Sequence, residues 1–224
     1  ILTDSLGRFN DAVYSRKCDH YFIYDDSANA IWTINAVDHS TKEAFTNIIG
    51  SMRSARTLRV NLAQDKLFVN YNDHKILIAD ITAEAGLENL AYLDRGVGGP
   101  IADFQIMSNG MLIILTMDGY VNLWEYDNGN RSPPRLLNWE RLSIDRKERL
   151  TAMNIERFVS IAVCPRNIYV AVSSCYGEND SMRRLFWLRI NHRMEIEEKV
   201  KTLLTSQHPY QSALRAMVFY GYVS

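Results

Sequence analysis

The chain has few side chains placed for chemistry. Its five histidines, His20, His39, His74, His192 and His208, are scattered without an i, i+4 pair. A helical zinc site of the HExxH kind needs two imidazoles on one helix face, so that chemistry has no support. No Gly-x-Gly-x-x-Gly turn or GK[ST] run is present to cradle phosphate, and no serine sits in a GxSxG elbow that would expose a nucleophile. Asp103 is the one acid inside an expected first strand, flanked by Ala102 and Phe104. A hard cation wants several oxygen ligands, so this single carboxylate reads as a structural or channel-lining residue. The expectation is no catalytic residue, no cofactor and no metal. Cys18, Cys164 and Cys175 are odd in number, lack CxxC spacing and fall in or beside apolar runs. They read as reduced, buried small hydrophobes in an intracellular, cytoplasmic protein.

Bulk properties exclude further classes. Lys plus Arg number 25 against 26 Asp plus Glu, a net charge of -1. The global attraction that drives nonspecific binding to nucleic acid or acidic membrane is missing. The chain is 47% hydrophobic, with only five prolines and eleven glycines, which places it among folded globular proteins. No apolar run approaches the ~20 residues needed to span a bilayer, and the N-terminus lacks a signal-peptide pattern. Asn130-Arg131-Ser132 is a formal glycosylation triplet, but the proline that follows argues against its use. The start at Ile1 and the end inside a repeat favour a fragment of something longer.

The elements that would position any site come from an internal repeat. HYFIYDDSANAIWTINA, KLFVNYNDHKILIADIT and LIILTMDGYVNLWEYDN align so that Tyr21, Leu67 and Ile113 correspond, each 46 residues from the last. Ile23, Val69 and Leu115 then correspond, as do Asp26, Asn72 and Asp118, and Trp32, Ile78 and Trp124. Each segment is two apolar runs around a polar tip, which predicts a β-hairpin. A strand-like stretch precedes each: AVYS at 12–15, TLRVNL at 57–62 and ADFQIM at 102–107. A fourth strand fits in the gaps, for example at Asn89 to Leu93 and Leu136 to Trp139. Four strands in ~40–45 residues is the size of a propeller blade.

A fourth copy follows with an insertion, SIAVCPRNIYVAVSS and then RRLFWLRIN, with Trp187 in the place of Trp124. The stretch 194–204 fits an alternating strand or a short helix and is taken as this copy's outer strand. LRAMVFYGYV opens a fifth copy. The predicted architecture is all-β: blades at about 12–50, 57–95, 101–142 and 157–205, with 212–224 as the first strand of another.

GGPIADFQIMSNGMLIILTMDGYVNLWEYDNG, residues 98–129, resembles a WD40 repeat along its length, with Asp118-Gly119 in the tight turn and Leu123-Trp124 closing the third strand. The resemblance extends over roughly residues 12–224 and implies a propeller with degenerate repeats. Gly98-Gly99 stands where the family places Gly-His, so the network that His shares with Asp, Ser/Thr and Trp is incomplete, although Thr116, Asp118 and Trp124 are present. Trp32, Ile78, Thr116, Asp118, Trp124 and Trp187 are the expected structural blade positions.

The family usually closes seven blades around a channel, so further sequence or another chain would complete the propeller. The hairpin tips between second and third strands usually carry the partner site. Here that rim would include Asp25, Tyr71, Met117 and the enlarged tip from Cys175 to Arg184, with Tyr176, Arg183 and Arg184. Tyr, Met and Arg are the types that interfaces favour, while each residue alone is equally a turn residue. Pro133-Pro134 either offers an extended grip to a partner or stiffens a connection. Three functions remain open. The first is a non-catalytic scaffold binding other proteins of a multi-subunit complex. The second is a propeller enzyme or small-ligand or metal binder using the central channel. The third, disfavoured by charge, is nucleic-acid binding through Arg183 and Arg184.

Overall fold

The computed structural model describes residues 9–25, 30–45, 57–72, 74–126, 133–142, 157–164, 169–176 and 182–204. Among these there are sixteen strands and no helix. Blade 1 is β1 (Phe9–Ser15), β2 (His20–Asp25), β3 (Ala30–Asn35) and β4 (Thr41–Phe45). Blade 2 is β5 (Leu58–Val60), β6 (Lys66–Asn72), β7 (Lys75–Ile81) and β8 (Leu87–Asp94). Blade 3 is β9 (Ile101–Ile106), β10 (Leu112–Thr116), β11 (Tyr120–Glu125) and β12 (Arg135–Arg141). Blade 4 is β13 (Arg157–Val163), β14 (Tyr169–Tyr176), β15 (Met182–Ile190) and β16 (Ile196–Leu204). Each is a four-stranded antiparallel sheet with strands in sequence order, and the fold is a β-propeller. The expected first strand of a further blade at 212–224 lies outside the described residues.

The chain forms two compact units, Ile1–Asp94 and Arg95–Ser224. In the first, Phe22, Tyr24 and Ile31 of blade 1 pack with Leu58, Leu67, Val69 and Leu77 of blade 2. In the second, Ile113, Leu115, Val121 and Leu123 of blade 3 pack with Phe158, Ile161, Val170, Val172, Phe186 and Leu188 of blade 4. Burial falls from inner to outer strands, which explains the composition. Leu112 to Thr116 of β10 are all buried, whereas Glu88 to Tyr92 of β8 are exposed. A strand covered on both faces reads as a continuous apolar run, and an outer strand does not.

The tight turns rest on left-handed residues. Asp19, Gln64 and Gly110 hold this conformation between first and second strands, and His39, Ala85 and Met194 between third and fourth. Asn35 and Asn191 accept amide hydrogen bonds within two of the latter turns. Gly119, at φ 89°, closes the β10–β11 hairpin with its N–H bonded to the Thr116 carbonyl. A Cβ there would lie 2.8 Å from Cζ of Phe158.

Hydrogen-bond register corrects the sequence alignment. The turn from Met107 to Met111 is one residue shorter than that from Asn61 to Lys66, so Leu112, not Ile113, is the counterpart of Tyr21 and Leu67. Trp32 stands opposite Ile23, and its counterpart opposite Val69 is Leu77, which puts Ile78 on the other face. Trp124 pairs with Leu112 and faces away from blade 4. Trp187 pairs with Ala171, on the face of blade 4 that points away from blade 3, so it does not take the place of Trp124. A period-2 ladder reverses every side chain for each residue of slip, and unequal turns supply the slips. In blade 4, Tyr176 pairs with Met182, so Arg183 and Arg184 are strand residues opposite Cys175 and Ser174 rather than loop residues.

Candidate functional site

Blade 3 carries the most developed polar network. Asp118 accepts hydrogen bonds from Gly99 N at 2.7 Å and Thr116 Oγ1 at 2.6 Å, and Thr116 Oγ1 accepts Tyr120 N at 2.9 Å. These contacts pin the segment entering β9 to the β10–β11 tip. Asn122 contributes a clamp that sequence reasoning missed: its Oδ1 accepts Val97 N at 2.8 Å and its Nδ2 donates to Val97 O at 2.9 Å. The signal was a single amide inside the apolar run VNLWE, fully buried and therefore in need of partners. Gly98, at φ 111°, lets the segment approach, since a Cβ there would lie 2.7 Å from Thr116 Oγ1. Trp124 Nε1 reaches the Arg95 carbonyl at 3.5 Å.

The first-strand acids join neighbouring blades. Asp103 is 6% exposed. Its Oδ1 accepts Phe104 N at 2.8 Å, and its Oδ2 accepts Ser160 Oγ and Ile161 N of blade 4, both at 3.1 Å. Asp11 does the same in the first unit, accepting Leu58 N at 2.8 Å and Arg59 Nη1 at 3.3 Å. Asp103 is therefore not the one acid in a first strand. Asp11 escaped notice because β1 begins three residues before the expected Ala12, at Phe9. Both carboxylates are occupied with main-chain donors of the next blade.

A second polar clip crosses blade 2. Lys66, 5% exposed, pairs with Asp80, whose other oxygen accepts Asn89 Nδ2 at 2.9 Å. Burial opposes ionisation of Asp80, but hydrogen bonds from Lys66 and Asn89 and the lysine charge outweigh it and hold the carboxyl below its usual range. Asn89 sits in the left-handed region at a bulge of β8, a device that bends an outer strand away from edge pairing.

The expected rim residues are not equivalent. Asp25 is buried at 1% exposure, so it is not the accessible carboxylate the sequence implied. Met117 is half-buried against the core of the second unit. Asp118 is exposed but committed to the network above. The side chains of Tyr71, Tyr176, Arg183 and Arg184 lie outside the described residues, as does Asn130-Arg131-Ser132. Cys18 and Cys164 are half-buried rather than buried.

Beside the β10–β11 tip lies a surface that the sequence did not single out. The Tyr120 and Trp139 rings are 5.7 Å apart at 51°, and the Arg141 guanidinium lies 5.2 Å from the Tyr120 ring centre. Arg141 is the direct ladder partner of Tyr120, and Trp139 that of Asn122, so strand alternation puts all of them on one face. Trp139 is 47% exposed. Among the described residues, no group of three or more His, Cys, Asp and Glu could hold a metal ion, and no helix is long and apolar enough to cross a membrane.

No family model matches the chain, and no curated protein matches it. Solved structures do. A Pseudomonas aeruginosa periplasmic gluconolactonase matches with a TM-score of 0.66 at 12% identity, over 89% of this chain and 55% of that one. A protein from Lactobacillus plantarum gives 0.65 at 8% identity, over 87% and 56%. The Myceliophteria thermophila Cps50 (Swd1) β-propeller domain gives 0.55 at 11%, over 81% and 55%. The chain thus spans a little over half the length of these structures, and at such identities the likeness establishes the propeller fold alone.

Proposed function

We propose that this chain is a WD40-like propeller scaffold that binds another protein of an intracellular, cytoplasmic complex without catalysing a reaction. The observation that carries the reading is the cluster of half-buried Tyr120 with exposed Trp139 and Arg141 next to the β10–β11 tip. Tyr, Trp and Arg are the types that dominate binding hot spots, and here a rigid sheet holds them. Tyr71, Tyr176, Arg183 and Arg184 extend the same proposal to the tips of blades 2 and 4. The alternative, a propeller enzyme or ligand binder using a central channel, draws on the fold shared with a gluconolactonase. Its motivating residue, Asp103, spends its carboxylate on blade 4.

Affinity purification from source cells with chemical cross-linking tests the scaffold reading. Wild-type chain should recover specific proteins that Trp139→Ala combined with Arg141→Glu fails to recover, with folding unchanged by circular dichroism. Identical recovery by both would remove the cluster from the binding surface.

A further inference from the structure

Tyr14 and Tyr21 are direct ladder partners on β1 and β2 of blade 1. Their ring centres lie 5.0 Å apart with the planes at 43°, and the residues are 37% and 44% exposed. The Tyr14 hydroxyl donates a hydrogen bond to Asp19 Oδ1. Asp19 is set there by the turn between the two strands, where it holds a left-handed φ of 57° and its carbonyl accepts Ala36 N at 2.9 Å. The carboxylate is thus a positioned proton acceptor for the phenol. The hydrogen bond to Asp19, together with the carboxylate's charge, holds the Tyr14 pKa above its usual value against the opposing charge of Arg16. At neutral pH the phenol therefore keeps both its proton and the bond.

This arrangement suits one-electron oxidation. Taking an electron from a phenol that keeps its proton leaves a strongly acidic radical cation, so the oxidation becomes accessible when the proton leaves with the electron. A carboxylate already hydrogen-bonded to the hydroxyl takes that proton without rearrangement. Two tyrosyl radicals held side by side then join through ring carbons ortho to oxygen. In the biaryl product the ring centres stand one ring diameter plus one carbon–carbon bond apart, slightly less than the separation found here, and the planes are twisted, as these are. Holding the rings in contact also replaces a collision by an intramolecular step.

We propose that Tyr14, Asp19 and Tyr21 form an oxidative modification site, at which a one-electron oxidant links the two tyrosines as dityrosine and staples β1 to β2. One equivalent of oxidant takes an electron from Tyr14 while the phenolic proton passes to Asp19 and on to water. A second takes an electron from Tyr21, whose proton goes to solvent. The two radicals form one carbon–carbon bond, and the ortho hydrogens shift to the oxygens to restore both phenols. The two tyrosines lose two protons and two electrons in all, and each oxidant equivalent is reduced by one electron.

Brief irradiation of the dilute chain with ruthenium(II) tris-bipyridine and persulfate, which generates a one-electron oxidant, tests this. Trypsin cuts after Arg16 and Lys17, so Tyr14 and Tyr21 fall on separate peptides unless they are linked. Mass spectrometry should find those peptides joined, with the loss of two hydrogen atoms, in chains that remain single. Tyr14→Phe and Tyr21→Phe should each abolish the product, while Tyr92→Phe, at a residue 49% exposed on β8, leaves it unchanged. Asp19→Asn keeps a residue that tolerates the left-handed turn but removes the base. It should slow the link about tenfold, with the oxidation of Tyr92 in the same sample unchanged as the reference. Circular dichroism checks that the variants fold. Dityrosine formed only at other tyrosines, or only between molecules, overturns the inference. So does an Asp19→Asn chain that links as fast as wild type.

Discussion

Replacing Asp103 by alanine separates the two readings of its carboxylate most sharply. The side chain is 6% exposed and accepts three hydrogen bonds, two from blade 4. Alanine leaves Ile161 N and Ser160 Oγ buried without this acceptor. Bonds to a charged group contribute about 1.5–3 kcal/mol each, and part of the loss is recovered by relaxation. A net destabilisation of about 3–5 kcal/mol follows. For a chain of this size that lowers Tm by roughly 6–20 °C, at 2–4 °C per kcal/mol. Asp11→Ala should cost less, about 1–2 kcal/mol, because the Asp11 side chain is 28% exposed and its bond to Arg59 is long at 3.3 Å. Asp103→Asn, which keeps one acceptor oxygen, should fall between. Urea denaturation followed by far-ultraviolet circular dichroism gives all three values. An Asp103→Ala chain as stable as wild type would refute the blade-joining role and return the residue to the channel.

Other outcomes follow from the same contacts. Gly119→Ala combines a left-handed φ of 89° with a Cβ against Phe158 and should destabilise the chain by about 2–4 kcal/mol in the same denaturation assay. Asn122→Leu removes both bonds to Val97 and should speed amide exchange selectively at Val97. Asp80 has a folded pKa below its unfolded value. Its contribution is therefore complete above the unfolded pKa of about 4 and is lost as pH falls through the folded one. A Lys66→Met chain should show a shallower decline of stability in that acidic window, read from pH-dependent denaturation.

The blade pattern was legible because hairpins and outer strands leave local marks. KLFVNYNDHKILIADIT announces β6 and β7 through paired apolar runs, and the first and fourth strands flank them at blade spacing. Register was not legible, because it depends on turn lengths that differ by one residue between Asn61–Lys66 and Met107–Met111. That difference displaces Trp124 from Ile78, and the span from Leu67 to its partner Ala79, one residue shorter than that from Tyr21 to Ile34, displaces Ile78 from Trp32. The blade-joining role of Asp11 was hidden in the same way, since its partners are 47 and 48 residues away. Asn122 was readable in principle: a buried amide in an apolar strand requires a partner, though nothing local says that Val97 supplies it. The Tyr120–Trp139–Arg141 surface joins two strands across a long connection, and only pairing brings those residues together.

The measurement that tests the scaffold reading most directly is hydrogen–deuterium exchange of the chain with and without a protein recovered by affinity purification. The account predicts slowed exchange at residues 117–120 and 135–141, around the β10–β11 tip and β12, with any further protection at the tips of blades 2 and 4. Protection elsewhere, with those segments unchanged, would contradict it.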